Sequence, residues 1–211
     1  MRFNKLVRIP LNGIQQEEKY VVDAPKTKEE LLQASPQELR RLFSSLEAPA
    51  LEEMAGEYAA RLLAQPNWLA TVVGRAVLDN PYRNWLCKAF RPVDARTGRG
   101  YNTFLQRGKV VQCYPMLTLI APSRFDGQPA YQLVYRHFHS TCGTVHMVDE
   151  VRRVAPGLYL GMGTYGFTKA QRRIAYPFLL EGPLRAYRGD IGRARENFEI
   201  GAREIPALFA N

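Results

Sequence analysis

The chain has 211 residues, 46% of them hydrophobic and 23% charged, with a formal net charge of +9. That balance describes one large globular domain, or one with an appended helical part, and excludes a disordered, repetitive or low-complexity chain. No run of about 18 apolar residues is present, so no membrane-spanning helix is expected. Cys87, Cys113 and Cys142 are odd in number and form no CxxC, which excludes a disulfide framework or zinc finger and points to a reducing, cytoplasmic setting.

Residues 1–24 look extended, and the opening MRFNKLVRIPLNG has no apolar run of the kind a leader needs. Helix signals follow Pro25. Thr27 and Glu30 have capping-box spacing, and Ser35 and Glu38 repeat it with Pro36 at the first helical position. The second helix runs to about Leu46, with Leu39, Leu42, Phe43 and Leu46 on one stripe. Pro49 opens a predicted third helix, PALEEMAGEYAARLLAQ, whose apolar face is Leu51, Met54, Tyr58, Leu62 and Leu63 and which Pro66 stops. A fourth, WLATVVGRAVLDN, is apolar nearly all round and is expected to be buried.

After residue 82 the apolar period changes from about 3.6 to 2. Strands are predicted over 110–121, 130–139, 144–154, 158–163 and 174–181. Pro115 marks an edge or bulge, and Asp126-Gly127 and Pro156-Gly157 mark turns. Short strands with tight connections pair antiparallel, and enough of them curl into a barrel or half-barrel. Residues 185–211 read as a turn-rich tail with one or two short helices. The fold class is therefore α+β: an N-terminal arm and helical subdomain (1–81) packed on an antiparallel barrel-like domain (82–184), then the tail.

The charge is uneven. Residues 1–81 carry 10 Lys and Arg against 11 Asp and Glu, whereas 82–211 carry 19 against 9. A solvated, arginine-rich surface is the simplest account. An anionic ligand or partner, such as a carboxylate, a phosphate or an acidic carrier protein, is the sharper one. Nucleic acid ranks below both.

Three motifs invite chemistry. Gly161, Gly163 and Gly166 match GxGxxG, with Glu181 placed 20 positions beyond Gly161. A dinucleotide site needs a parallel βαβ unit there, and the seven residues between Gly166 and Ile174 are too few for a helical crossover. The glycines are better read as room for a bend or a close approach. His137 and His139 alternate on a predicted strand near Cys142 and His146, a pattern similar to the cupin metal motif. The glutamate that should follow is missing, and two ligands alone do not make a transition-metal site, so no metal and no cofactor are expected.

The third segment, 131–154, reads as a hairpin about a loop at 140–144. Tyr131, Leu133, Tyr135, His137 and His139 share one face, and Val145, Met147, Asp149 and Val151 share the facing one. That register sets Tyr135 opposite Asp149 and His137 opposite Met147. Asp149 then points inward, where a carboxylate needs a partner. It is either a satisfied structural bond or a polar anchor and general acid/base; a one-residue slip would turn Glu150 inward instead. Upstream, 85–104 is dense in aromatics, cations and turn residues; 84–90 opens it, 98–104 closes it and the residues in between look like a loop, with a net charge of +6 over 82–109. Such a segment can stack nucleobases or close the floor of a small barrel, and barrel closure is the commoner use.

Several short elements together resemble lipocalin-like (calycin-type) bacterial proteins of the GXWXG/DUF4334 kind. They are Trp85, Lys88 and Phe90; Gly100, Tyr101 and Asn102; a Tyr-bearing strand; Asp149, Glu150 and Arg152; Leu160 and Gly161; and Pro177, Phe178 and Leu180. The likeness spans about 82–182 and implies a β-barrel with an interior ligand cavity; it implies no catalytic residues.

The expected function is binding of a hydrophobic small molecule, with an anionic head group as an option. The ligand contacts are expected from Trp85, Tyr101, Asn102, Phe104, Tyr131, Met147 and Arg152. The alternative is an enzyme of the same cavity, an isomerase, cyclase or decarboxylase of a hydrophobic biosynthetic intermediate, with Asp149, Tyr135 and His137 as acid/base groups. No nucleophile elbow, P-loop or HExxH is present, which leaves hydrolase and NTPase chemistry unsupported. The oligomeric state is left open, a homodimer among the options.

Overall fold

The structure, a computed structural model, describes residues 27–210. The extended arm expected over 1–24 lies outside the described residues. Helices α1 (Lys28–Gln33) and α2 (Pro36–Ser45) start where the sequence places them. Thr27 and Ser35 accept from the backbone N–H groups of Glu30 and Glu38, whose carboxylates return the bond to the cap residue's N–H. Leu31, Leu39, Leu42 and Phe43 bury this pair against the outer face of a sheet, on Leu160, Met162 and Leu179.

The predicted third helix is instead a turn and a strand, β1 (Gly56–Leu62). Leu51, Met54, Tyr58 and Leu62 have helical spacing, but Gly56 sits at φ +121°, where a helix cannot continue, and backbone of Arg185 lies 2.6 Å from where its Cβ would be. After β1 comes α3 (Trp68–Leu78), capped by Asn67. The strands β2 (Asp79–Asn80), β3 (Arg83–Pro92), β4 (Thr97–Gln106), β5 (Lys109–Pro122) and β6 (Pro129–Val134) follow. Then come a short helix, α4 (Thr141–Thr144), and β7 (Val148–Ala155), β8 (Leu158–Thr164) and β9 (Tyr176–Arg185). The segment 85–104 is the β3–β4 hairpin, and its connection at 93–96 falls among the residues read as a loop. Pro115 lies at a bulge, where Tyr114 takes φ +55° and the β4–β5 register shifts.

From β3 to β9 each long strand pairs antiparallel with the next, and β1 pairs with both β9 and β3. This closes an eight-strand antiparallel barrel, with β2 a two-residue extension on β3. The fold class is α+β, as expected. One end of the interior is filled by interlocking rings: Tyr58 meets Tyr159 edge-on at 5.6 Å, and Phe90 meets Tyr131 at 5.5 Å. At the other end lie the C-terminus of β1, the start of β3 and the start of β9, and α3 crosses there. No helix among the described residues is long and apolar enough to cross a membrane.

On the outer face of β7, Arg152 is wholly buried and every N–H is used. It donates to Asp126 at 2.7 Å through both terminal nitrogens and to the carbonyls of Phe43, Gln128 and Pro129, with its guanidinium over the Phe43 ring. One side chain thus ties α2, the β5–β6 turn and the barrel wall together. Burial works against the Asp126 charge, but the bonds and charge of Arg152 together with the Gln128 N–H outweigh it and hold the carboxyl below its usual range. A depressed carboxyl stabilises the fold above its unfolded pKa, and that contribution is lost as pH falls through the folded one. Asp126→Asn should therefore cost ~3 kcal/mol in urea unfolding at neutral pH. Its deficit relative to the parent should shrink as pH drops below about 3.9, the ordinary aspartate value.

Candidate functional site

Four elements aim polar groups at one point inside the barrel. A bulge in β3 between Trp85 and Cys87 breaks the alternation, so that Trp85 and Lys88, three residues apart, both turn inward. β4 supplies Asn102, a 3₁₀ turn after β6 supplies Tyr135, and β7 supplies Asp149. Lys88 Nζ donates to Asp149 Oδ2 at 2.7 Å, to the Tyr135 hydroxyl at 2.5 Å and to Asn102 Oδ1 at 3.0 Å. The Tyr135 hydroxyl donates to Asp149 Oδ2 at 2.9 Å and accepts from Asn102 Nδ2 at 3.2 Å, while Trp85 Nε1 donates to Asn102 Oδ1 at 3.1 Å. The Lys88 and Asp149 side chains are 3% and 6% exposed, so this is a dry ion pair.

The glycine motif makes the room. A Cβ on Gly161 would lie 2.1 Å from the Phe178 ring, and one on Gly163 would lie 3.1 Å from Asp149 Oδ1. Both glycines lie in β8, which is followed by a 3₁₀ turn and the antiparallel β9, an arrangement with no place for a dinucleotide.

Above the cluster is a cavity of about 340 Å³, walled by Trp85, Phe104, Tyr114, Met147 and Phe178 and covered by Val73, Gly74 and Val77 of α3. Contrary to expectation, α3 has no buried residue. Its inner side faces the cavity, and on the other side Trp68, Leu69 and Val72 are exposed. Burial, and then the Asp149 charge, push the Tyr135 phenol well above its ordinary value, so it stays a neutral donor. Cys142, also on the cavity wall, is pushed up to about 12 by burial and is inert as a thiolate at neutral pH.

Of the residues read from sequence, Trp85, Asn102, Phe104, Tyr135, Met147 and Asp149 line this cavity. Four others do not. His137 lies in the 3₁₀ turn rather than on a strand and packs against Phe138 and Phe198, its Nδ1 buried without a partner among the described residues. Tyr101 points out of the barrel, to Glu57 and the Arg188 N–H. Tyr131 is in the packed end and donates to Thr118. Arg152 is the outer-face anchor described above. The predicted hairpin register is off by two: Asp149 stands opposite Leu133, because β6 stops at Val134 and Tyr135 reaches in from the turn beyond. A shift of two preserves the face, so Asp149 points inward and Glu150 outward, to Ser123 and Arg124. No group of three or more metal-ligating side chains occurs among the described residues. Sequence reasoning missed Lys88, Tyr114 and Phe178 as cavity residues. The proximity of Lys88 to Trp85 was the available signal, and only a bulge makes it meaningful.

Removing one half of a buried pair strands the other charge, whereas replacing both by apolar groups of similar volume does not. Lys88→Met and Asp149→Leu should each cost ~3–5 kcal/mol. The double variant should recover most of that loss, measured as a double-mutant cycle by chemical denaturation.

Comparison with known proteins adds little. No family model and no curated protein matches the chain. It is similar to a solved structure described as a protein from Thermomonospora curvata, with 15% identity over 70% of this chain and 87% of that one, at a TM-score of 0.45.

Proposed function

We propose that the barrel binds a hydrophobic small molecule in the 340 Å³ cavity, its polar head on the Lys88–Asn102–Tyr135–Asp149 cluster. One observation carries this reading: a mostly apolar cavity meets a few convergent buried polar groups, the composition of a ligand site rather than a packing void. Among the residues lining it, Lys88 is the sole cation and Asp149 the sole carboxylate, and they are bonded to each other. An anionic head group would therefore bring an unpaired charge into a dry site. A neutral head that donates and accepts hydrogen bonds, a hydroxyl or a carbonyl, matches the cluster better than the anionic one the composition suggested.

The enzyme reading uses the same groups. The Tyr135 hydroxyl bonds the Asp149 carboxylate within reach of a bound ligand, an arrangement suited to moving a proton. Organic extraction and mass spectrometry of the freshly purified protein distinguish the two: one compound means carriage, a substrate–product pair means turnover.

In vitro, 1-decanol should displace a fluorescent apolar probe from the protein. Met147→Trp, which fills the cavity, should weaken that displacement at least ~10-fold by loss of apolar contact while the melting temperature holds. A clean extract together with no displacement by decanol sinks the proposal.

A further inference from the structure

Among the described residues the Lys88 amine is the one nucleophile of its kind on the cavity wall, and its surroundings are built with a redundancy that a structural ion pair does not need. Each of its three acceptors has a second donor. Asn102 Oδ1 also receives Trp85 Nε1, the Tyr135 hydroxyl also receives Asn102 Nδ2, and Asp149 Oδ2 also receives the Tyr135 hydroxyl. Lys88 can therefore give up two N–H bonds and leave no buried polar atom without a partner. Loss of two N–H bonds is what a lysine undergoes when it becomes a protonated imine, which keeps a single N–H.

Resting on the reading of the cavity as a ligand site, we infer that Lys88 condenses with the carbonyl of a hydrophobic aldehyde, with Asp149 as proton carrier and counter-ion. Lys88 passes a proton to Asp149 Oδ2, 2.7 Å away, and the free amine attacks the carbonyl carbon. A C–N bond forms and the C=O π pair moves to oxygen, which takes the proton back from Asp149. Asp149 then accepts a second proton from the nitrogen. It returns that proton to the departing hydroxyl as the C–O bond breaks. The products are water, the protonated imine and the Asp149 carboxylate; no oxidant or reductant takes part. The cation at the start and the cation at the end are both single charges beside the same carboxylate, so the cavity never holds an unpaired ion. The Trp85, Tyr135 and Phe178 rings, with centroids 5.1, 5.3 and 5.2 Å from Nζ, favour a cation at that point in either form. Tyr135, a neutral phenol bonded to both Nζ and Asp149, is in place to donate to the oxygen as charge develops there.

Decanal with sodium cyanoborohydride tests this on the full chain, with peptide mapping of the reduced adduct. Lys88 should acquire one decyl group at least ~10-fold faster than the exposed Lys109 and Lys169, since its carbonyl partner is held in place. 1-Decanol should protect Lys88 alone. Lys88→Arg, which keeps the charge, should abolish the fast adduct, and Asp149→Asn should slow it. Should Asp149→Asn fail to fold, the decanol protection and Lys88→Arg still decide. If decanol displaces the apolar probe but Lys88 is modified no faster than the exposed lysines, the imine is overturned and the ligand site stands. If decanol neither displaces the probe nor protects any lysine, both fall.

Discussion

Lys88 and Asp149 face each other inside the barrel, where wall groups must replace the water they have lost. Coulomb attraction alone does not offset the dehydration of two charges, so the pair persists only with its remaining hydrogen bonds made. Those bonds come from four separate elements: β3, β4, the turn after β6 and β7. The placement of those elements is in turn fixed by local irregularities: a bulge that turns Trp85 and Lys88 the same way, another at Pro115, and glycines on β8 that leave space for Asp149 and Phe178. The aromatic packing that fills one end of the barrel gives way, at this cluster, to a cavity.

The basic composition finds a different explanation from the one that sequence favoured. Many arginines of the C-terminal half act as fasteners. Arg152 locks α2 to the wall, and Arg124 joins Glu150 to the carbonyls of Arg172 and Glu204. Arg91 and Arg99 hold Asp190 of the tail, and Arg188 reaches back to Glu57. Burial raises the Glu150 carboxyl, against the pull of Ser123 and Arg124. These groups strap loops and tail onto a barrel whose outer wall would otherwise need more apolar cover.

Capping chemistry and alternation were legible because each is a local rule. Thr27, Ser35 and Asn67 side chains cap their helices, the first two within capping boxes at the expected spacing, and Asp149 sits inward because Val151 flanks it at the strand period. What stayed hidden depended on exceptions to those rules. The turn and β1 together mimic a helix because Leu51, Met54, Tyr58 and Leu62 recur at three and four, while Gly56 at φ +121° is what a helix does not allow. Lys88 was not assigned to the site because the bulge that turns it inward is invisible to a period-2 count. α3 looked buried because it is apolar nearly all round, yet one side faces the cavity and Trp68, Leu69 and Val72 on the other are exposed. His137 fell out because β6 ends at Val134, five residues before the predicted end, in a turn that brings Tyr135 in and carries the histidine away.

The barrel's seam has a consequence for how the chain reaches this state. From β3 to β9 every pairing joins consecutive strands, the kind of contact that forms early because little chain must be ordered to make it. β1 can join β3 almost as easily, which yields an open, curling sheet. The β1–β9 pairing closes that sheet, and it joins segments near opposite ends of the described chain, the most demanding contact in entropy. Before it forms, two strand edges are bare and the concave face is wet, so Lys88 and Asp149 keep their hydration. Dehydration of the pair thus falls on the final zippering of β1 to β9, and the step that completes the wall is also the step that creates the dry interior.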